Sequence, residues 1–106
     1  MKRIYLSGPM TGLHECNRQA FNDAEQALRG IGFDVFNPVN NGLPPTNTLW
    51  ETHMRADIAQ LMECDCVAVL PGAHHSRGAR LEIDLALQLG ITPVRNLECW
   101  IGKDGD

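Results

Sequence analysis

No long hydrophobic run occurs in the 106 residues, and nothing approaches the roughly 20 apolar residues that a membrane-spanning helix needs. The opening "MKRIYLSGPM" places only Ile4, Tyr5 and Leu6 between two basic residues and a glycine turn. That is short of the apolar core of a signal peptide, so a cytoplasmic location is expected. Excess basic charge is also missing. A net charge of -4 and a pI near 5.4, without clustered Lys and Arg, argue against a nucleic-acid polymer as partner and leave a small nucleotide open. Neither a G-x-G-x-x-G after the first apolar run nor a G-x-x-x-x-G-K is present, which removes the dinucleotide fingerprint and the P-loop. Low-complexity tracts are absent too. The 43% hydrophobic and 21% charged content is that of a globular chain, and the length fits a single domain over residues 1–106.

Four cysteines, Cys16, Cys64, Cys66 and Cys99, read as reduced packing residues. Cys64 and Cys66 with His74 and His75 lack the usual zinc-knuckle spacing, so no metal and no cofactor is expected.

What is present is an alternation. Ile4 to Leu6 reads as a buried strand running into "SGPMTG". Ala20, Phe21, Ala24, Ala27, Leu28 and Ile31 then recur at threes and fours, predicting a helix from about Asn17 that stops at Gly30 or Gly32. "FDVFNP" predicts a second strand ended by Asn37 and Pro38. After the irregular "NPVNNGLPPTN", Thr48 and Glu51 fit a capping box for a helix to about Glu63, carrying Leu49, Trp50, Met54, Ile58, Leu61 and Met62. "CVAVL" predicts a central parallel strand, and "ITPVR" a fourth, in which Pro93 suggests an edge position or a strand end. The fold class expected is therefore α/β: a Rossmann-like or flavodoxin-like three-layer domain with a mostly parallel sheet of four to five strands flanked by helices. Its core covers about residues 3–95, followed by a short tail, 96–106. In such sheets ligands bind beyond the carboxyl ends of the strands, here "SGPMTG", "NPVNNG" and "PGAHHSRG".

Two carboxylates sit where apolar residues are expected. On a helix from about Ala79 to Leu89, Arg80, Asp84 and Gln88 form a solvated stripe with an ion pair. Glu82 falls roughly 200° from Arg80 and Asp84 at ~100° per residue, on the side of Ala79, Leu85, Ala86 and Leu89. Asp57, three residues after Met54 and four before Leu61, interrupts the stripe of its own helix in the same way. Buried acids are rare unless paired or functional. A pair of acids beside a sugar ring is what glycosyl chemistry requires, one attacking the anomeric carbon while the other handles the leaving group. Glu82, read as lying in the first turn of its helix, is expected to be kept ionised by the positive helix end.

Taken in order, "IYLSGPMTG", "MRADIAQLMECDCVAVL" and "SRGARLEIDLALQLG" resemble the nucleoside 2-deoxyribosyltransferase superfamily, in particular its short uncharacterised (DUF4406-type) phage and bacterial members. The resemblance covers roughly residues 3 to 95. It implies that Glu82, in the pattern of Ser76, Gly78 and Glu82, is the nucleophile that forms a glycosyl-enzyme intermediate, and that Asp57 is the second acid, which positions the base or assists its departure. It further implies that Ser7, Gly8 and Pro9 line the sugar or phosphate side, that Ser76 and Gly78 lie near the 5′ end with Arg77 as a phosphate partner, and that Asn37 and Pro38 border the base. Homo-oligomers are the rule among such proteins, and neighbouring subunits often complete the site. Where members commonly have E-L-G-x-A after the nucleophile, this chain has "EIDLA", with Asp84 in place of the glycine.

The function so implied is cleavage of an N-glycosidic bond, or deoxyribosyl or ribosyl transfer, on a nucleoside or nucleoside 5′-monophosphate. A competing reading is a non-catalytic nucleotide-binding protein of the same fold, a sensor or sequestering module. A third is a small structural or regulatory domain in which Glu82 is a partly exposed helix residue.

Overall fold

A computed structural model describes residues 2–44 and 47–102; residues 45–46 of the irregular loop, Met1 and residues 103–106 of the tail lie outside it. Strand β1 (Arg3–Ser7) pairs in parallel with β2 (Asp34–Phe36) on one side and with β3 (Cys66–Val69) on the other. Beyond β3 comes β4 (Val94–Asn96), also parallel, giving the order β2-β1-β3-β4. The chain thus reverses direction of growth at β1, and the crevice between β1 and β3 is the switch point where open sheets of this order hold ligands. The four-stranded parallel sheet flanked by helices is the three-layer α/β arrangement expected from the sequence.

The period of two along β1 assigns the faces. Ile4 and Leu6 join Val35, Cys66 and Ala68 under Phe21, Ala24 and Leu28 of helix α1 (Arg18–Gly30). Tyr5 points the other way, with Val67, towards Leu61 of α2 (Trp50–Leu61) and Ala86 of α3 (Arg77–Gln88). The first face is completed by residues that read as tail in the sequence. Leu97–Ile101 forms a short helix, α4, whose Leu97, Trp100 and Ile101 pack against the α1 layer. Trp100 donates its indole N–H to the Val67 carbonyl at 3.0 Å and meets Phe33 edge-on, which satisfies the one polar atom of a large apolar ring.

Helix boundaries differ from the sequence reading for identifiable reasons. Helix α2 starts at Trp50, with Leu49 as its unassisted N-cap. Thr48 therefore lies one residue too early for the capping box with Glu51, and Leu49 stays exposed. Helix α3 begins at Arg77, capped by Ser76, whose hydroxyl accepts the Ala79 N–H at 3.2 Å. Starting two residues earlier than expected, it carries Glu82 in its second turn, and Leu89 falls beyond the helix and is exposed. The solvated stripe is present, but Asp84 accepts a bond from Gln88, at 2.9 Å, and no Arg80–Asp84 ion pair forms among the described residues.

Gly8 follows β1 where the chain passes under the next strand end. A Cβ there would stand 2.8 Å from the Cβ of Leu70, so glycine is required for the close approach rather than for an unusual backbone angle.

Candidate active site

The loops after β1 and β2, helix α2 from Trp50 to Asp57 and the N-terminal half of α3 enclose a pocket of about 250 Å³. Its size suits a small ligand, just under the ~300–1,000 Å³ of drug-sized sites. Met10, Thr11, Pro38, Val39, Trp50, Met54 and Ala79 give it a mixed wall, and both Asp57 and Glu82 open into it.

Glu82 reaches the site because α3 turns its small face to the sheet. Ala79 and Ala86, three before and four after Glu82, are buried, and their lack of bulk lets the helix approach β1. The alternation that sends Ile4 and Leu6 to the α1 layer sends Tyr5 and Ser7 to Glu82. Tyr5 donates its phenolic O–H to Oε2 at 2.7 Å, and Ser7 donates its hydroxyl to Oε1 at 2.8 Å. Both carboxylate oxygens are thus held, and all three residues are buried. Burial pushes the Glu82 carboxyl up to about 7, against the lowering effect of the Tyr5 and Ser7 bonds and with a further push from the Asp57 charge. The expectation that the helix end keeps Glu82 ionised is corrected here, since the helix field fades within the first turn and Glu82 lies in the second. Tyr5 is held well above its ordinary value, first by burial and then by the Glu82 and Asp57 charges, so it stays a donor.

Asp57 is buried on the facing helix and accepts the side-chain amide of Asn41 on Oδ1 at 2.9 Å. Burial raises it to about 6, opposed by the Asn41 bond and by His53. The two acids therefore titrate near neutrality and feel one another.

Of the other residues singled out in the sequence, Gly8, Pro38, Ser76 and Gly78 line the pocket. Ser7 stands behind it, bonded to Glu82. Pro9 is outside the lining and packs against Gly72. Asn37 is also outside: its amide donates to Asn22 and Glu25 of α1 and its carbonyl caps Val39, so every polar atom is engaged in the fold. Arg77 lies with its guanidinium 3.8 Å from the ring centre of Trp50, a pocket-wall residue, and so flanks the mouth without lining it. Asp84, the departure from E-L-G-x-A, is exposed on α3 and lines a separate cleft. Cys64 and Cys66 are buried on opposite sides of the sheet, and no group of three metal-ligating side chains gathers among the described residues.

Sequence reasoning missed Tyr5, which reads as core, and Asn41 and His53. The period of two from Ser7 was a usable signal for Tyr5; nothing local marks Asn41.

The four-stranded parallel sheet and its flanking helices form a deoxyribosyltransferase-like fold. A solved 2-deoxyribosyltransferase from the psychrotolerant bacterium Bacillus psychrosaccharolyticus, described as a biocatalyst for nucleoside synthesis, superposes with a TM-score of 0.68 and 29% identity over 87% of this chain and 69% of its own. The family model described as "Domain of unknown function (DUF4406)" matches residues 2–94, and the chain belongs to that family. A search of curated proteins gives no match. Among the described residues no helix is long and apolar enough to cross a membrane.

Proposed function

We propose that the protein breaks the N-glycosidic bond of a nucleoside or nucleoside 5′-monophosphate through an ester on Glu82. One Glu82 oxygen attacks C1′ as the C1′–N bond breaks and the base leaves with the bonding pair. Asp57 orients the base or supports its departure, and water or a second base then takes the sugar and frees the carboxylate. The observation that carries this reading is a buried carboxylate gripped by Tyr5 and Ser7 and opening into a pocket of about 250 Å³ beside a second acid. Similarity to the 2-deoxyribosyltransferase supports it. Ser76 and Gly78 border the 5′ side in this reading, Arg77 leaves Trp50 to meet a 5′-phosphate, and Gly8 and Pro38 bracket the sugar and the base.

Incubation with ribo- and deoxyribonucleosides and their 5′-monophosphates, with and without an acceptor base, tests it by chromatography. Release of free base is expected, and new nucleoside with acceptor present identifies a transferase. Tight nucleotide binding with no base release from any substrate would make the protein a binding module instead.

The reading includes a homo-oligomer. Leu81 and Leu87 leave apolar surface exposed on α3, and a chain of this size gains core by association. Sedimentation velocity should show a mass above the 11.7 kDa monomer; a monomer at micromolar concentration contradicts this part.

A further inference from the structure

Asn41 engages all three of its side-chain hydrogen-bonding groups in one place. Its carbonyl accepts the Leu43 N–H at 3.0 Å, which turns the amide group inwards. The amide nitrogen then lies 2.9 Å from Asp57 Oδ1 and 3.1 Å from His53 Nδ1. Two hydrogens pointing at two acceptors require Nδ1 of His53 to be unprotonated. The other ring nitrogen, Nε2, lies 3.1 Å from the Pro44 carbonyl, which accepts only, so the proton belongs on Nε2. His53 and Asp57 are one helical turn apart on α2, and Asn41 and Pro44 belong to the loop that forms the β2 side of the pocket. The loop is thereby tied to the helix at both ring nitrogens and at the acid.

We propose that His53, as its neutral Nε2–H tautomer, is a positioning residue: through Asn41 it fixes which oxygen of Asp57 is bound by protein and which faces the substrate, and through Pro44 it holds the 41–44 segment against the pocket. The role in turnover rests on the glycosidic reading above, whereas the fixing of Asp57 does not. Besides His53 and Asn41, the groups that bear on Asp57 are Glu82 from α3 and Tyr5 from β1, both electrostatically coupled to it; Arg18, at the head of α1, lines the same pocket and is bonded to Asn40. Protonation of His53 would set a donor against the Asn41 amide and open the tie.

Two substitutions separate the ring nitrogens. In His53→Asn the side-chain carbonyl takes the place of Nδ1 and keeps the acceptor for Asn41. In His53→Gln the amide takes the place of Nε2 and keeps the Pro44 bond, while Asn41 loses its partner. Both remove the same ionisable ring. The test is the titration of the Asp57 carboxyl by carbon-13 NMR, assigned by its loss in Asp57→Asn, alongside kcat and KM for base release. Both lose the ring's own lowering effect on Asp57 alike, so the expected Asp57 titration is higher in His53→Gln than in His53→Asn and is shifted upwards from wild type in Asn41→Ala, with kcat lower about tenfold in His53→Gln and Asn41→Ala, the cost of one hydrogen bond, and KM little changed. Equal titrations in His53→Asn and His53→Gln would overturn the proposal. Shifted titrations with no base release by the wild-type protein would keep the tie to Asp57 and sink the glycosidic reading; base release alike in all variants would keep the glycosidic reading and overturn the role of His53 in turnover.

Discussion

Replacing Glu82 with Gln is expected to lower base release by at least about a thousandfold, because the amide has no anion with which to form the ester and stabilise positive charge at C1′. The same substitution should stabilise the protein at alkaline pH. The carboxyl is raised from 4.5 to about 7 by burial, so the folded state prefers it protonated. Its contribution to stability is complete below pH 4.5 and is lost as pH rises through 7. At about 1.4 kcal/mol per pKa unit, the loss above pH 7 is on the order of 3 kcal/mol. The glutamine side chain carries no charge and is isosteric with the acid. Its carbonyl can accept from Tyr5 while its amide donates to Ser7, whose hydroxyl then points to the Ala79 carbonyl, already 3.5 Å away. Melting followed from pH 5 to pH 8 should show the variant and wild type diverging, with the variant several degrees higher at pH 8. A variant that retains turnover, or that melts below wild type at pH 8, contradicts the placement of Glu82 as a buried nucleophile.

Asp57→Asn is expected to lower kcat about a hundredfold, within the range for a group that assists a leaving group. It should also move the pH profile. Glu82 must be ionised to attack, so activity rises with pH through a limb near 7. The Asp57 charge is one of the contributions that raise Glu82; without it the limb shifts to lower pH. Stopped base-release assays from pH 5 to 9 on both proteins check this. A limb that stays in place while kcat falls would show that the two acids do not share one field.

The range of each interaction decides whether it can be read from the sequence. Glu82 and Asp57 were legible because helical period is local: a carboxylate on an apolar face is visible within seven residues. The strands, too, were marked by short apolar runs, and the three rim loops by their glycines and prolines. The helix starts were less legible, since Thr48 with Glu51 satisfies a capping pattern that the backbone declines by one residue, and that single register placed Thr48 in the pocket wall. Helix α4 was illegible because its packing depends on Phe33 and the Val67 carbonyl, far away in sequence. Asn37 and Asn41 show the same limit from the side of the site. Both are asparagines after β2, yet one is consumed by α1 and the other reaches Asp57.

The proposed mechanism turns on a covalent bond from Glu82 to the sugar. A nucleoside bearing fluorine at C2′ slows both steps by destabilising positive charge at C1′, and a good leaving base restores only the first. After incubation and tryptic digestion, mass spectrometry of the peptide over residues 81–95 reads the result. Expected is a mass increase equal to the fluorinated sugar, located by fragmentation on Glu82 and not on Asp84, and absent from Glu82→Gln. An unlabelled peptide from protein that still releases base from ordinary nucleosides would contradict it.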